Sequence, residues 1–139
     1  ADLAWTGWSS IQELRIVRDS GTTVSVTPEH WRDTWRYALG GTYAMNDSIT
    51  LRAGVAFDET PVPDETRTPR LPDSDRTWVA IGARWQPSPA VLLDFGYAHL
   101  FSDTVPLDQD AGNAAASALL NGHQHSDIDI VSAQLVYRF

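Results

Sequence analysis

Residues 48–58 read SITLRAGVAFD and alternate strictly between two kinds of side chain. Successive side chains of a β-strand point to opposite faces of a sheet, so a period of two predicts a strand. The stretch therefore predicts a strand that separates an apolar environment from a more polar one. The apolar face would hold Ile49, Leu51, Ala53, Val55 and Phe57, and the other face Thr50, Arg52, Gly54, Ala56 and Asp58.

The same alternation predicts six strands and no helix. No stretch of 11 or more residues has a convincing helical stripe. The last two strands repeat the pattern of 48–58, because one face is apolar and uncharged through its middle while the other carries small residues with Arg or Asp. The first stretch alternates poorly, and its faces are not assigned. The strands are expected near 3–18, 31–45, 48–58, 76–86, 90–101 and 127–139.

The connections between these strands alternate between long and short. Residues 19–30, 59–75 and 102–126 are long loops, whereas ND at 46–47 and PSP at 87–89 are tight turns. In an up-and-down meander every second connection lies at the same end of the sheet. All long loops therefore share one end, as they do in bacterial outer-membrane barrels with long extracellular loops and short periplasmic turns. The fold class predicted is all-β, an antiparallel up-and-down transmembrane β-barrel.

Composition excludes several other classes of protein. The chain has 139 residues and a net charge of −8, which argues against nucleic acid as a partner, because phosphates require a basic surface. It has no cysteine and hence no disulfide or thiolate metal site. Apolar runs reach only four or five residues, whereas a spanning helix needs roughly 20. The start, ADLAWTGWSS, lacks the features of a signal peptide, which favours a mature form or a fragment.

Aromatic residues and the C-terminus also point to the bacterial outer membrane. On the apolar face, Tyr43, Trp85 and Tyr137 lie toward the tight turns and Phe57 toward the long loops, as expected for rings at the two bilayer interfaces. A terminal Phe139 ending an amphipathic strand resembles the signal that the barrel-assembly machinery recognises, and that machinery is an expected partner. The alternative is a soluble β-sandwich whose aromatic residues pack in a core.

Three segments resemble the FadL-type transporters of long-chain fatty acids and the related aromatic-hydrocarbon channels. They are WTGWSSIQELRI, WRYALGGTYAMNDSITLRAGVAFDETPVPDE and RLPDSDRTWVAIGARW. The most specific part is GVAFDETPVPD followed by LPDSDRTW. The resemblance covers nearly the whole chain and is weakest in 102–126.

The resemblance implies a barrel of about 14 strands with an N-terminal plug, of which residues 1–139 would be the six C-terminal strands of one domain. The plug and the remaining strands would lie outside the chain. A six-stranded open sheet agrees with this, because its two unpaired edges cannot be satisfied in lipid. The implied function is passive uptake of a fatty acid or aromatic hydrocarbon, without catalysis or a cofactor. A barrel without a transport role, whose acidic loops bind partners or surfaces, is the alternative.

Candidate ligand-binding residues fall on the predicted inner face and the extracellular rim. Inward arginines either meet a ligand carboxylate or brace the plug through pairs with Asp58 and Asp94. The resemblance implies that basic groups in the lumen bind the carboxylate of a fatty acid. The matching stretch TVSVTPEHWRD holds no lysine, so a neutral hydrophobic substrate is an alternative. Tryptophans near the extracellular end would make the first apolar contacts. The candidates are Arg36, Arg52, Arg76 and Arg84 on the inner face, Arg32 at the rim, and Trp31, Trp35 and Trp78.

Two polar segments carry side chains that suit other chemistry. The acidic stretch 57–75 is interpreted as a solvated extracellular loop stiffened by prolines; alternatively, its carboxylates bind divalent cations that bridge lipopolysaccharide phosphates. Outer-membrane lipid and lipopolysaccharide are thus expected partners. HQHSDID at 123–129 places no nucleophile opposite a base, so no enzyme is predicted, and a zinc site at His123 and His125 is the alternative there. His99 is expected at the membrane interface.

Overall fold

The computed structural model describes residues 1–108 and 121–139. Ten strands and one 3-10 turn make up its regular structure. The strands are β1 Asp2–Thr6, β2 Glu13–Val17, β3 Thr23–Pro28, β4 Thr34–Ala44, β5 Ile49–Asp58, β6 Arg76–Ser88, β7 Val91–Ser102, β8 Val105–Asp108, β9 Asn121–Gln124 and β10 Ile128–Tyr137, and the turn is Trp8–Ser10. In the described part of the chain, no helix is long and apolar enough to cross a membrane.

Six of the strands form one antiparallel meander. The order across the sheet is β1-β4-β5-β6-β7-β10, and every pair is antiparallel. Between β5 and β6 the register runs unbroken from Ile49 opposite Trp85 to Asp58 opposite Arg76. The all-β antiparallel class predicted from the alternation is confirmed.

This register keeps side chains of one kind on one face across the sheet. We call the apolar side the outer face and the opposite side the inner face. Directly paired residues point to the same face, so Val55 and Val79 share the outer face while Arg52 and Gly82 share the inner face. The outer face of β4 to β10 carries Leu39, Leu51, Val55, Val79, Ile81, Phe95, Tyr97, Val131 and Leu135 among others.

The outer face is not covered by protein. Leu39, Val131 and Leu135 are 64%, 80% and 65% exposed. Buried apolar residues are few and are absent from the outer face of the described strands; they are Ala56, Val62, Leu100, Val105 and Leu107. A water-exposed face of this kind would cost about 25 cal/mol for each Å² of apolar surface, so the arrangement suits lipid. The sandwich alternative requires a second sheet packed on this face. Among the described residues, no second sheet packs there.

The prediction of a single strand over residues 3–18 is wrong. Only β1 joins the main sheet, where Trp5 pairs with Trp35. The chain then makes the 3-10 turn Trp8–Ser10, and β2, from the second half of the predicted strand, forms a separate hairpin with β3, which lies within the predicted loop 19–30. The poor alternation of this stretch reflects two elements in different sheets, joined by a turn. A second hairpin, β8–β9, lies in the predicted loop 102–126, whose residues 109–120 are outside the described part.

The two short connections are tight, as predicted, but are built differently. In the first, the Asn46 side-chain oxygen accepts hydrogen bonds from the backbone N–H groups of Ser48 and Ile49, both at 2.9 Å, which closes the turn locally. At the second, β6 continues to Ser88, with a register shift between Trp85 and Ser88. Most of PSP is therefore strand, and only residues 89–90 connect it to β7.

The loop 59–75 has a buried interior of its own, so its description as a solvated loop is wrong. Arg67 is only 2% exposed. Its guanidinium donates to the Asp64 carboxylate at 2.6 Å, the Asp73 carbonyl at 2.8 Å and the Val62 carbonyl at 3.2 Å. One side chain thus ties together three points of the loop around Val62, which is 1% exposed. The loop also docks on the segment before β4, where the Arg32 backbone N–H donates to the Pro61 carbonyl.

Replacing Arg67 with alanine is expected to open this loop while leaving the sheet intact. The loss of hydrogen bonds from a charged donor should lower the local free energy of opening by on the order of 2 kcal/mol. Hydrogen exchange of the full-length protein in detergent measures this as faster exchange confined to residues 59–75. Arg70→Ala is the matched control, because Arg70 is exposed in the same loop. Equal exchange in the two variants would contradict the role assigned to Arg67.

Candidate ligand path on the inner face

A hollow of about 340 Å³ lies at the long-loop end of the inner face. Its floor comes from the ends of β1, β4, β5 and β6, and its roof from the loop 59–75. Trp8 and Trp31 meet edge to face at its side, with ring centroids 5.5 Å apart. Aromatic rings of this kind offer a large apolar contact area with little entropy to lose. The lining includes Trp8, Trp31, Arg36, Asp58, Pro61, Val62, Leu71, Asp73 and Arg76.

Trp8 is held at this hollow by a junction between two segments. The Asp33 carboxylate accepts a hydrogen bond from the backbone N–H of Ser9 at 2.8 Å. Hydrogen bonding from the Ser9 side chain, and then from its backbone N–H, holds the pKa of Asp33 below its ordinary value. The charged form of Asp33 therefore stabilises the 3-10 turn that carries Trp8, and its protonation weakens that junction.

Arg36 stands between this hollow and the next one. It lines both the first hollow and a second of about 420 Å³, which continues down the inner face. Trp78 also lines the second hollow and is paired across the sheet with Ala56 and Leu100, both buried. Among the described residues, the buried indole Nε1 of Trp78 has no hydrogen-bond partner. The second hollow thus combines an arginine, an indole donor and small residues of β4 and β5.

A third hollow of about 620 Å³ extends into the tight-turn half of the sheet. It shares Gly54 and Ala80 with the second hollow. Near it, the Arg84 guanidinium binds the Asp94 carboxylate through two hydrogen bonds, 2.8 and 3.0 Å, and Arg52 lies 3.8 Å from the same carboxylate. A fork-to-fork pair fixes both side chains. The three hollows therefore follow one another along the inner face.

Comparison with known proteins identifies the family. A model of the family described as Outer membrane protein transport protein (OMPP1/FadL/TodX) matches residues 1–139. The chain belongs to this family.

Relatives and a solved structure agree with this assignment. The 47 kDa outer membrane protein of Pasteurella multocida is 43% identical over 69% of this chain and 22% of its own length. The long-chain fatty acid transport protein of Escherichia coli K12 is 36% identical over 77% of this chain and 24% of its own. The crystal structure of a Pseudomonas aeruginosa FadL homologue superposes with a TM-score of 0.84 at 38% identity, covering 97% of this chain and 31% of that one. This FadL-family chain thus spans about a fifth to a third of the length of the relatives it matches, and it belongs to the outer membrane.

Four of the predicted site residues line the first or second hollow, two line the third, and two line none of the three. Arg36, Arg76, Trp31 and Trp78 line the first or second hollow. Trp35 instead lies on the outer face, where it stacks on Tyr37 at 6.4 Å, and Arg32 is exposed and lines none of the three hollows. Alternation along β4 explains the outward position of Trp35, because its neighbour Arg36 points inward. Arg52 and Arg84, the other two candidates, line the third hollow.

The inner-face arginines differ in how far they are neutralised. Arg76 lies 3.3 Å from Asp73 and 3.9 Å from Asp58. Arg84 is paired with Asp94, which Arg52 also approaches. Among the described residues, the Arg36 guanidinium forms no ion pair, although Asp58 lies opposite Arg36 in the register. Among the arginines that line the three hollows, Arg36 is therefore the one without a carboxylate partner in the described part of the chain.

Several lining residues were not predicted from the sequence. The alternation predicts a strand without assigned faces at Trp8, and the composition of 59–75 predicts a solvated loop at Val62 and Leu71. Their place in the first hollow depends on how the loop folds back over the sheet end, for which local alternation carries no signal. In the polar segment 123–129, His125 lies 3.2 Å from Asp127 and 3.4 Å from the Thr104 hydroxyl, and Asp129 accepts hydrogen bonds from side chains of β7. No group of three or more potential metal ligands occurs among the described residues.

Acidification is expected to loosen Trp8 through Asp33. Because the folded-state pKa of Asp33 is lowered, its stabilising contribution is complete above the ordinary aspartate pKa and is lost as the pH falls through the lower folded-state value. A fluorine label on Trp8 of the full-length protein would report this as a shift in its ¹⁹F resonance with a midpoint below about 4, the ordinary aspartate value. Asp33→Asn should abolish the transition and Asp19→Asn should leave it unchanged. A transition that survives in Asp33→Asn would exclude this mechanism.

Proposed function

We propose that this chain forms part of the wall of an outer-membrane channel for passive uptake of hydrophobic molecules, either long-chain fatty acids or aromatic hydrocarbons. The observation that carries the proposal is the series of three hollows that share residues along the inner face, from the long-loop end into the tight-turn half. The names of the E. coli relatives, which are long-chain fatty acid transport proteins, support the class of substrate.

The proposed mechanism begins with capture at the aromatic wall of the first hollow. An apolar ligand that leaves water there gains contact with Trp8 and Trp31, and burial of apolar surface supplies the favourable free energy. It then passes Arg36 into the second hollow. At the junction with the third hollow, Gly54 and Ala80 leave space where larger side chains would block passage. Diffusion down a concentration gradient suffices, so the mechanism requires no nucleotide or cofactor.

Arg36 is the residue proposed to hold the polar end of a fatty acid. It lies where the first two hollows meet and lacks a carboxylate partner among the described residues. A ligand carboxylate would form a charge-assisted hydrogen bond there while its chain occupied either neighbouring hollow. The buried Trp78 Nε1 is a second donor nearby. A neutral hydrocarbon would use the same hollows without this contact, so Arg36 is expected to separate the two classes of substrate.

The structure gives less support to the alternative in which acidic loops bind external partners or surfaces. That function needs carboxylates directed into solvent. In the loop 59–75, Asp73 and Asp75 accept hydrogen bonds from Thr60, and Asp64 binds Arg67. These acids are therefore used to fold the loop over the first hollow, which favours a channel entrance.

Filling the junction between the second and third hollows is expected to block uptake. Ala80→Phe places a ring on the inner face, and a barrier higher by about 1.4 kcal/mol slows passage about tenfold. The measurement is the initial rate of labelled oleate uptake by a deletion strain that expresses the full-length protein. Ala83→Phe is the matched control, because Ala83 lies on the outer face of the same strand. Unimpaired uptake by Ala80→Phe, with normal levels of folded protein, would contradict the proposed path.

Removing the charge of Arg36 should discriminate between substrates. In the full-length protein, Arg36→Gln is expected to weaken oleate binding about tenfold or more, since hydrogen bonds to charged groups contribute about 1.5–3 kcal/mol. Binding of a neutral aromatic hydrocarbon should stay unchanged. Fluorescence titration in detergent measures both, with Arg32→Gln as the control outside the hollows. Equal losses for the two ligands would show that Arg36 acts on structure and not on the carboxylate.

A further inference from the structure

One polar cluster interrupts the apolar outer face. Asp129 is the only charged side chain on the outer face of the described strands of the main sheet, excepting the ring of His99 when it is protonated. Its Oδ1 accepts hydrogen bonds from the Tyr97 hydroxyl at 2.6 Å and from His99 Nδ1 at 2.8 Å. His99 lies directly opposite Asp129 in the register between β7 and β10. We refer to Tyr97, His99 and Asp129 as the outer-face polar cluster.

The cluster lies near the long-loop end of the sheet. His99 precedes the end of β7 at Ser102 by three residues, about 10 Å along the strand. Toward the middle of the sheet the outer face is apolar, with Phe95 and Val131, and toward the loops the His99 ring contacts Phe101 at a centroid distance of 4.2 Å. Long loops of outer-membrane barrels are extracellular. The cluster therefore faces the headgroup region of the outer leaflet, where polar atoms meet lipid.

The hydrogen bonds of the cluster leave specific acceptors open. A carboxylate can only accept, so His99 Nδ1 is the donor and the neutral ring presents Nε2 as an acceptor. Among the described residues, no hydrogen bond uses Asp129 Oδ2. The side chain of Asp129 is 63% exposed and that of His99 22%. The cluster thus offers acceptor atoms to the lipid side, next to the ring of Phe101.

We propose that the outer-face polar cluster binds the sugar headgroup of a glycolipid in the outer leaflet, through the hydroxyl groups of the sugar. Hydroxyls are donors that match Oδ2 and Nε2, and the adjacent rings supply an apolar surface for the C–H groups of a sugar. A phosphate fits poorly, because Asp129 repels it and the outer face of the described strands has no Arg or Lys. This site is independent of the proposed transport path, which lies on the inner face.

The test uses the full-length protein in nanodiscs of phosphatidylcholine with one added lipid. The three added lipids are diphosphorylated lipid A, dephosphorylated lipid A and phosphatidylglycerol. Native mass spectrometry measures how many added lipids stay bound. The proposal expects similar retention of both forms of lipid A and much less of phosphatidylglycerol. Retention that requires the phosphates would overturn the proposal, because the ligand would then be an anionic headgroup.

Variants locate the binding site. Asp129→Leu and His99→Leu should each lower retention of dephosphorylated lipid A about tenfold, the effect of losing one hydrogen bond of about 1.4 kcal/mol. Val131→Leu is the matched control on the same face of β10. Asp129→Asn keeps the shape of the side chain and should give a smaller loss in a folded protein. If Asp129→Asn lowers the thermal midpoint without changing lipid retention, Asp129 serves the barrel itself, and the proposal is wrong.

Discussion

The antiparallel hydrogen-bond ladder from β1 to β10 is the constraint on which the rest of the structure depends. In lipid, backbone N–H and C=O groups find no water, so each strand must be paired and its alternation must stay in phase with its neighbours. The unbroken register between β5 and β6 keeps Arg52 and Gly82 on the same side as Asp58 and Arg76. A slip of one residue would carry these charges onto the outer face. The apolar outer surface and the polar inner path thus follow from one register.

The arginines of the inner face differ in whether a carboxylate neutralises them. In the tight-turn half, Asp94 neutralises Arg84 and approaches Arg52, which stiffens the wall. At the long-loop end, Arg76 is held by two carboxylates, while Arg36 remains unpaired among the described residues. Pairing therefore serves the structure at most positions. Among the arginines that line the hollows, the one without a pair is Arg36, at the meeting point of two hollows, where the proposed mechanism places a polar ligand group.

The loop over the first hollow shows that an acidic, proline-rich segment is not necessarily a solvated one. Three of its carboxylates bind Arg67 or Thr60, and the buried Arg67 occupies the place that an apolar core would take in a larger unit. Burial of a charge is tolerated because each of the three guanidinium nitrogens donates a hydrogen bond. The loop can then present Val62 and Leu71 to the hollow beneath it.

The sequence by itself determined the class of fold, five of the six main strands and the sides on which most candidate residues lie. It could do so because a period of two is a local property, and alternation along a strand decides which face each side chain occupies. The predicted inward positions of Arg36, Arg52, Arg76 and Arg84 follow from it. Only the tertiary structure decided the rest. Trp8 reached the hollow because Ser9 binds Asp33, 24 residues away, and Val62 and Leu71 line it because the loop 59–75 folds over the end of the sheet. Such long-range contacts depend on how separate segments fold over one another, and no local pattern records them.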